Sequence, residues 1–223
     1  MSSEFDSQRE QMVRDQVEAR HISDPHVLQA MRSVPRHEFV RLDMLDHAYS
    51  DNALPIGMEQ TISQPYIVAY MLEQLALTGT ETVLEVGTGS GYQTALLSLL
   101  VKEVISIERQ QPLAEQAAQV LDRLGYDNIV IHAGDGSQGV RDMAPFDAII
   151  VSAAAPSIPS MLMAQLADGG RMILPVGDRH HQYLEKVTRV GNSWHIEQLI
   201  SVVFVPLLGK QGFGHHEQKS ERG

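Results

Sequence analysis

The sequence predicts an α/β domain: a mostly parallel sheet covered by helices, closed by an antiparallel hairpin and preceded by a helical extension. Three observations carry this. From residue 80 short β-type runs alternate with helical segments; the first of these runs enters a glycine-rich turn that opens a helix; and after Gly177 the helices stop. Alternation makes the strands parallel, because each crossover needs a helix to bring the chain back to the same edge.

In the N-terminal part, Met12, Val13 and Val17 recur about one turn apart, the spacing of a helix face. Asp24-Pro25 reads as an N-cap followed by proline at the first helical position, with Val27, Leu28 and Met31 inward and Pro35 as the stop. Residues 49–63 show no period but contain Pro55, Gly57 and small polar residues, the pattern of a surface loop. Pro65 opens a helix with Ile67, Val68, Met71, Leu72 and Leu75 on its apolar face. Residues 82–86, 104–107, 129–133, 146–152 and 171–175 then read as strands, and 92–101, 113–124 and 160–167 as helices, with Gly125 just past the second. Residues 183–190 and 194–204 flank Gly191-Asn192-Ser193, a hairpin turn, and Trp194 and the hairpin aromatics are expected in the core. The reading is one domain over 1–223: helices and a loop over 1–78, the sheet over 79–208, and a frayed tail over 209–223.

Composition narrows the function classes. The chain has 223 residues, 17 Lys+Arg against 28 Asp+Glu, a net charge of −11, 43% hydrophobic residues and no cysteine. That excludes disulfides, thiolate metal sites and cysteine nucleophiles, and the acidic balance disfavours a broad grip on nucleic acid. The apolar runs at 95–101 and 148–155 are far shorter than the ~18–20 residues of a membrane span. Residues 1–6 are too polar for a signal peptide, so a cytoplasmic protein with no membrane partner is expected. His180-His181 and His215-His216 have no ligand spacing, and no metal site is expected from them. Oligomeric state is not legible in the sequence.

The strongest motif is Val83-Leu84-Glu85-Val86-Gly87-Thr88-Gly89-Ser90-Gly91-Tyr92, a strand running through a glycine turn into a helix. Glycines there permit tight turning and a close approach of a ligand to the backbone. The Gly-x-Gly-x-Gly spacing is one residue tighter than in dinucleotide binders, and no Gly-Lys-Ser/Thr marks a P-loop. Glu108 ends the next β run, where a carboxylate can accept from both ribose hydroxyls of a nucleoside. Gly134-Asp135-Gly136 follows the third, placing Asp135 where it can reach an adenine amino group and Gly136 where the backbone passes close. Each alone has a plain alternative: a tight βα turn, a surface Glu beside Arg109, an ordinary Asp-Gly turn. At three successive strand ends they fit one nucleoside.

This combination resembles the S-adenosylmethionine pocket of Rossmann-like methyltransferases. No Asn/Asp-Pro-Pro-Tyr follows the fourth strand, where Ser152-Ala153-Ala154-Ala155-Pro156 stands, and this weighs against transfer to a base amine. A closer resemblance comes from Pro55-Ile56-Gly57 with Gln60-Thr61-Ile62-Ser63-Gln64-Pro65, together with Val34-Pro35-Arg36, Ala144-Pro145-Phe146-Asp147, Gly169-Gly170-Arg171 and Phe204-Val205-Pro206-Leu207. With these the chain resembles the protein-L-isoaspartate O-methyltransferases over nearly its whole length.

The resemblance implies S-adenosyl-L-methionine as cofactor and, as partners, damaged proteins and peptides with isoaspartyl residues. Their free carboxylate would be methylated, initiating repair by way of a succinimide. It implies Ser63 as the active-site serine, Thr61 and Ile62 touching the cofactor through their backbone, and Glu85, Gly87, Thr88, Gly89, Ser90, Gly91, Glu108, Asp135 and Gly136 completing the cofactor site. An acceptor carboxylate with a pKa near ~4 is already ionised, so Ser63 would orient it and no general base is needed. On its own, Ser63 before Gln64-Pro65 also reads as a helix cap. The family usually carries glycine where this chain has His21 and Glu59, and Glu59 adds a negative charge inside the active loop. Alternatives are a methyltransferase acting on a small carboxylate or RNA, and a cofactor-binding module without turnover.

Overall fold

The computed structural model describes residues 2–214. Helix α1 (Ser2–Met12) runs on into a π turn (Val13–Val17) and a 3-10 turn (Glu18–Arg20), and α2 (Pro25–Ser33) follows. Asp24 caps α2: its carboxylate accepts from the N–H groups of His26 and Val27, and Pro25 takes the first position, where no N–H is needed. Met12, Val13, Val17, Val27, Leu28 and Met31 are buried in one cluster, as their spacing predicted.

Residues 49–63 are not the irregular surface loop expected. They contain a small antiparallel hairpin, β1 (Leu54–Gly57) and β2 (Gln60–Ile62), in which Leu54 faces Ile62 and both are buried. Strands this short show no period of two, and their turn lacks the Asn-Gly signal of a hairpin. That turn is made by Met58 (φ +51) and Glu59 (φ +60), two successive left-handed residues. His21 is left-handed as well (φ +70). The two positions at which glycine is the usual residue of the resembling family are therefore positions where the backbone favours glycine. Helix α3 (Pro65–Leu75) then buries Val68, Met71, Leu72 and Leu75.

The main sheet has seven strands: β3 (Thr82–Val86), β4 (Glu103–Glu108), β5 (Ile129–Ala133), β6 (Phe146–Val151), β7 (Leu166–Gly177), β8 (Gln182–Val190) and β9 (Ser193–Val202). Helices α4 (Tyr92–Ser98), α5 (Gln111–Arg123) and α6 (Ser160–Met163) alternate with them. Their order is β5-β4-β3-β6-β7-β8-β9; neighbours up to β7 are parallel, and β8 and β9 are antiparallel. Alternate residues feed opposite faces. Val83, Val104, Ala148, Ile150 and Ile173 join the cluster of the N-terminal helices, while Leu84, Ile105, Ile149, Met172 and Leu174 join the other. Burial on both faces explains why these strands read as continuous apolar runs. From β3 the chain moves outward through β4 to β5, then returns to lay β6 on the other side of β3. That reversal opens a crevice at the carboxyl ends of the strands.

Other expectations are corrected. The helix expected over 160–167 is only α6, because Leu166 already pairs with Phe146 as the start of β7. Trp194 and Tyr183 are 36% and 42% exposed rather than core, since among the described residues no helix shields them on the terminal hairpin; Trp194 instead lies against Arg189, 5.7 Å from ring centre to guanidinium carbon. The tail expected to fray from Gly209 is anchored at its start: Lys210 N–H donates to Asp135 and Gln211 N–H to Ser137. Residues 215–223, with His215-His216, lie outside the described residues. Among the described residues no helix is long and apolar enough to cross a membrane.

The left-handed turn yields a stability prediction. Glu59→Gly removes about 1 kcal/mol of backbone strain, so the thermal midpoint should rise by roughly 2–4 °C. Melting the two proteins side by side checks it, and an unchanged midpoint would show the turn to be unstrained.

Candidate active site

The crevice at the reversal is a cavity of about 460 Å³. One wall is the turn after β3, where Gly87 (φ +96) and Gly89 (φ +55) allow the backbone to curl back over the strand end. Glu108, the last residue of β4, lies against this turn. Its Oε2 accepts from Gly89 N–H at 2.9 Å and its Oε1 from Gln110 N–H at 2.9 Å, so the carboxylate is held at the ends of two central strands. A carboxylate has about four acceptor positions, and both oxygens keep one for a ligand. Gly136 lines the cavity near the end of β5, and a Cβ there would come within 2.6 Å of Val86 Cγ1, so only glycine fits. Thr61, Ile62 and Ser63 form the opposite wall, at the end of the small hairpin.

The structure thus brings Thr61, Ile62, Ser63, Gly87, Thr88, Gly89, Ser90, Glu108 and Gly136 to one cavity. Three of the predicted cofactor residues do not line it. Glu85 is fully buried beneath α4, where its carboxyl accepts from Gln93 Nε2 (3.0 Å), Thr94 Oγ1 (2.6 Å) and Ser106 Oγ (2.7 Å). Burial pushes it up to about 7, against the pull of these three bonds. Gly91 (φ +90) faces away: a Cβ there would point at Ala117 and Leu121 of α5, 3.3 Å from each. The Asp135 carboxylate is taken up by the protein: Oδ1 accepts from the N–H and hydroxyl of Ser137, Oδ2 from Gln138 Nε2 and Lys210 N–H. Burial opposes its ionisation, yet these bonds together hold it below the usual carboxylate range.

Ser63 is not a helix cap. Gln64 is the N-cap of α3, no side chain caps that helix, and the Ser63 hydroxyl has no hydrogen-bond partner among the described residues. Its carbonyl, by contrast, is fixed by Arg36 Nη2 at 2.8 Å. The residue reading missed the last wall. Residues 201–208 return across the sheet end, with Ala154 N–H donating to Val205 O (2.8 Å) and Leu207 N–H to Ala154 O (2.7 Å), so that Phe204, Val205, Pro206 and Leu207 line the cavity. Part of this stretch carried the family resemblance but suggested no role. Gln93 and Ser152, bonded to each other at 2.9 Å, complete the lining.

A cavity at the reversal of a mostly parallel sheet, with a glycine turn and a strand-end carboxylate that holds spare acceptor positions, is the architecture of a nucleoside-cofactor enzyme, and it fits the S-adenosylmethionine-dependent methyltransferase class. Comparison with known proteins narrows the class. The chain belongs to the protein-L-isoaspartate(D-aspartate) O-methyltransferase family, whose model matches residues 7–212. It is 52% identical over 216 residues to the protein-L-isoaspartate O-methyltransferase of Syntrophus aciditrophicus, covering 96% of this chain and 99% of that one. To the enzyme of that name from Roseiflexus castenholzii it is 52% identical over 206 residues, 92% of this chain and 94% of the other. A solved protein-L-isoaspartate O-methyltransferase superposes with a TM-score of 0.83 at 28% identity, over 92% of this chain and 67% of that one. A Plasmodium falciparum structure named for the same activity, in complex with S-adenosyl-L-homocysteine, gives 0.79 at 27% identity, over 90% and 98%. The enzyme accordingly uses S-adenosyl-L-methionine.

Two predictions follow from this geometry. Glu108→Ala should cost roughly 1.5–3 kcal/mol of cofactor binding, the worth of a bond to a charged acceptor; calorimetry on the folded variant measures it, and unchanged affinity would remove Glu108 from the site. Glu85 sets a pH dependence of stability. Between its ordinary value of 4.5 and about 7 the unfolded chain releases a proton that the folded one keeps, so stability falls as pH rises through that window, by on the order of 3 kcal/mol. Urea midpoints of Glu85→Gln should show a flatter slope between those pH values, and a slope equal to wild type would contradict the assignment.

Proposed function

We propose that this chain methylates the free α-carboxylate of L-isoaspartyl residues in damaged proteins and peptides, with Ser63 orienting that carboxylate and Glu108 holding the cofactor ribose. The observation that carries the reading is the Ser63 hydroxyl: Ser63 lines the cavity together with the glycine turn, and its hydroxyl has no hydrogen-bond partner among the described residues. A hydroxyl left without a bond costs about 1–3 kcal/mol if water is also excluded, and an acceptor carboxylate supplies the missing partner. S-Adenosyl-L-methionine, when bound, provides an electrophilic sulfonium methyl group. The protein's own task is positional. Gly87, Gly89 and Glu108 would hold the nucleoside end, and Ser63 would hold the attacking oxygen in line from the other wall. The acceptor is ionised at neutral pH, so no side chain need remove a proton. Phe204, Val205, Pro206 and Leu207, which line the cavity, would keep water from the reacting groups.

The test is methyl transfer to an isoaspartyl peptide beside its normal aspartyl twin. Wild type should act on the first and not the second, and equal rates would refute the substrate assignment. Ser63→Ala should lower kcat/KM on the order of tenfold while changing stability by less than about 0.5 kcal/mol, because the hydroxyl makes no bond among the described residues. Normal kinetics in that variant would remove Ser63 from the mechanism.

A further inference from the structure

Behind Ser63 lies a charged group that the reaction as described does not use. Arg36 is completely buried, the largest side chain so enclosed. Its Nε donates to Ala48 O at 2.9 Å and its Nη2 to Ser63 O at 2.8 Å, while its guanidinium carbon sits 4.7 Å from the ring centre of Tyr92. Nη1 has no hydrogen-bond partner among the described residues. All of these contacts are neutral. Asp51, an acid whose charge reaches Arg36, is ion-paired with Arg20 instead, and no carboxylate among the described residues lies within ion-pair distance of Arg36.

A guanidinium stays protonated in proteins, and a buried charge without a counter-charge is strongly disfavoured. Here the fold keeps one directly beneath the peptide that presents Ser63 to the cavity. One prong of its fork also fixes that peptide: Nη2 holds Ser63 O, while Nε ties the same guanidinium to Ala48 O, and Pro65 restricts the backbone of the intervening Gln64. Resting on the carboxylate reading above, we propose that Arg36 is the positioning residue of the acceptor half of the site. It fixes Ser63 through its carbonyl and sets behind it a positive charge that favours a carboxylate acceptor over a neutral group. The same preference favours release of the product, because the methyl ester has lost the charge that drew the substrate in.

The experiment compares two ligands in wild type, Arg36→Met and Arg36→Lys. One is the isoaspartyl peptide as substrate; the other is the same peptide with that carboxylate replaced by a carboxamide, used as a competitive inhibitor. In Arg36→Met the substrate KM should rise at least tenfold while the carboxamide Ki and the cofactor Kd stay within twofold. Arg36→Lys keeps the charge and loses the fork, so it should retain much of the KM and lose mainly kcat. If KM in a folded Arg36→Met is unchanged, or if substrate and carboxamide weaken equally, the charge has no such role and the proposal fails. Should Arg36→Met not fold, Arg36→Lys decides: retained preference for carboxylate over carboxamide supports the proposal, and an equal loss of both overturns it. Wild type inactive on the isoaspartyl peptide would instead refute the substrate reading itself.

Discussion

The hydrogen bonds that hold the Glu85 carboxyl beneath the first turn of α4 set the geometry of everything above them. Glu85 belongs to β3, Thr94 and Gln93 to α4, and Ser106 to β4. Gln93 also reaches Ser152, just past the end of β6. One buried acid therefore ties three adjacent strands to the helix at the level where the glycine turn leaves the sheet. Burying a carboxyl is costly, and the three donors offset that only while all are in place. Because the network is internal, the turn has its shape without help from a ligand, and binding need not spend free energy on ordering it.

Tyr92 belongs to the same helical turn and faces the other way, its ring against the Arg36 guanidinium. Tyr92-Gln93-Thr94 is thus where the two halves of the site meet. On one side the turn is locked to the sheet that carries Gly87, Gly89 and Glu108; on the other it supports the N-terminal extension that carries Ser63. An in-line transfer needs donor and acceptor aligned to within a fraction of an ångström, and a shared rigid support is a direct way to keep two sequence-distant walls in register.

Much of this was legible in the sequence, and the failures have physical causes. The sheet was readable because strands buried on both faces are continuous apolar runs separated by helical spacing. The boundary between α6 and β7 was not, because a single helical turn gives no period and Ala164–Ala167 carries no strand signal of its own. The hairpin β1–β2 was missed because its turn uses Met58 and Glu59 where local chemistry would ask for glycine or asparagine. In the site, the glycines and Glu108 could be placed by position after a strand. The wall formed by 201–208 could not, since it depends on pairing with Ala154 some fifty residues earlier in the chain.

The three carboxylates predicted for the cofactor show where residue type stops being informative. Glu85, Glu108 and Asp135 are the same chemical group at the ends of, or within, successive strands, and sequence position treats them alike. What separates them is the number of donors the fold aims at each. Asp135 accepts four bonds, close to a carboxylate's capacity of about four, and latches the chain at Lys210. Glu85 accepts three in full burial, with no opening to the cavity. Glu108 accepts two, both from backbone N–H groups, and faces the cavity. One of the donors that spends Asp135, the N–H of Lys210, lies 75 residues away. No local motif can report such a bond, so the division of labour among these acids is a property of the folded chain alone.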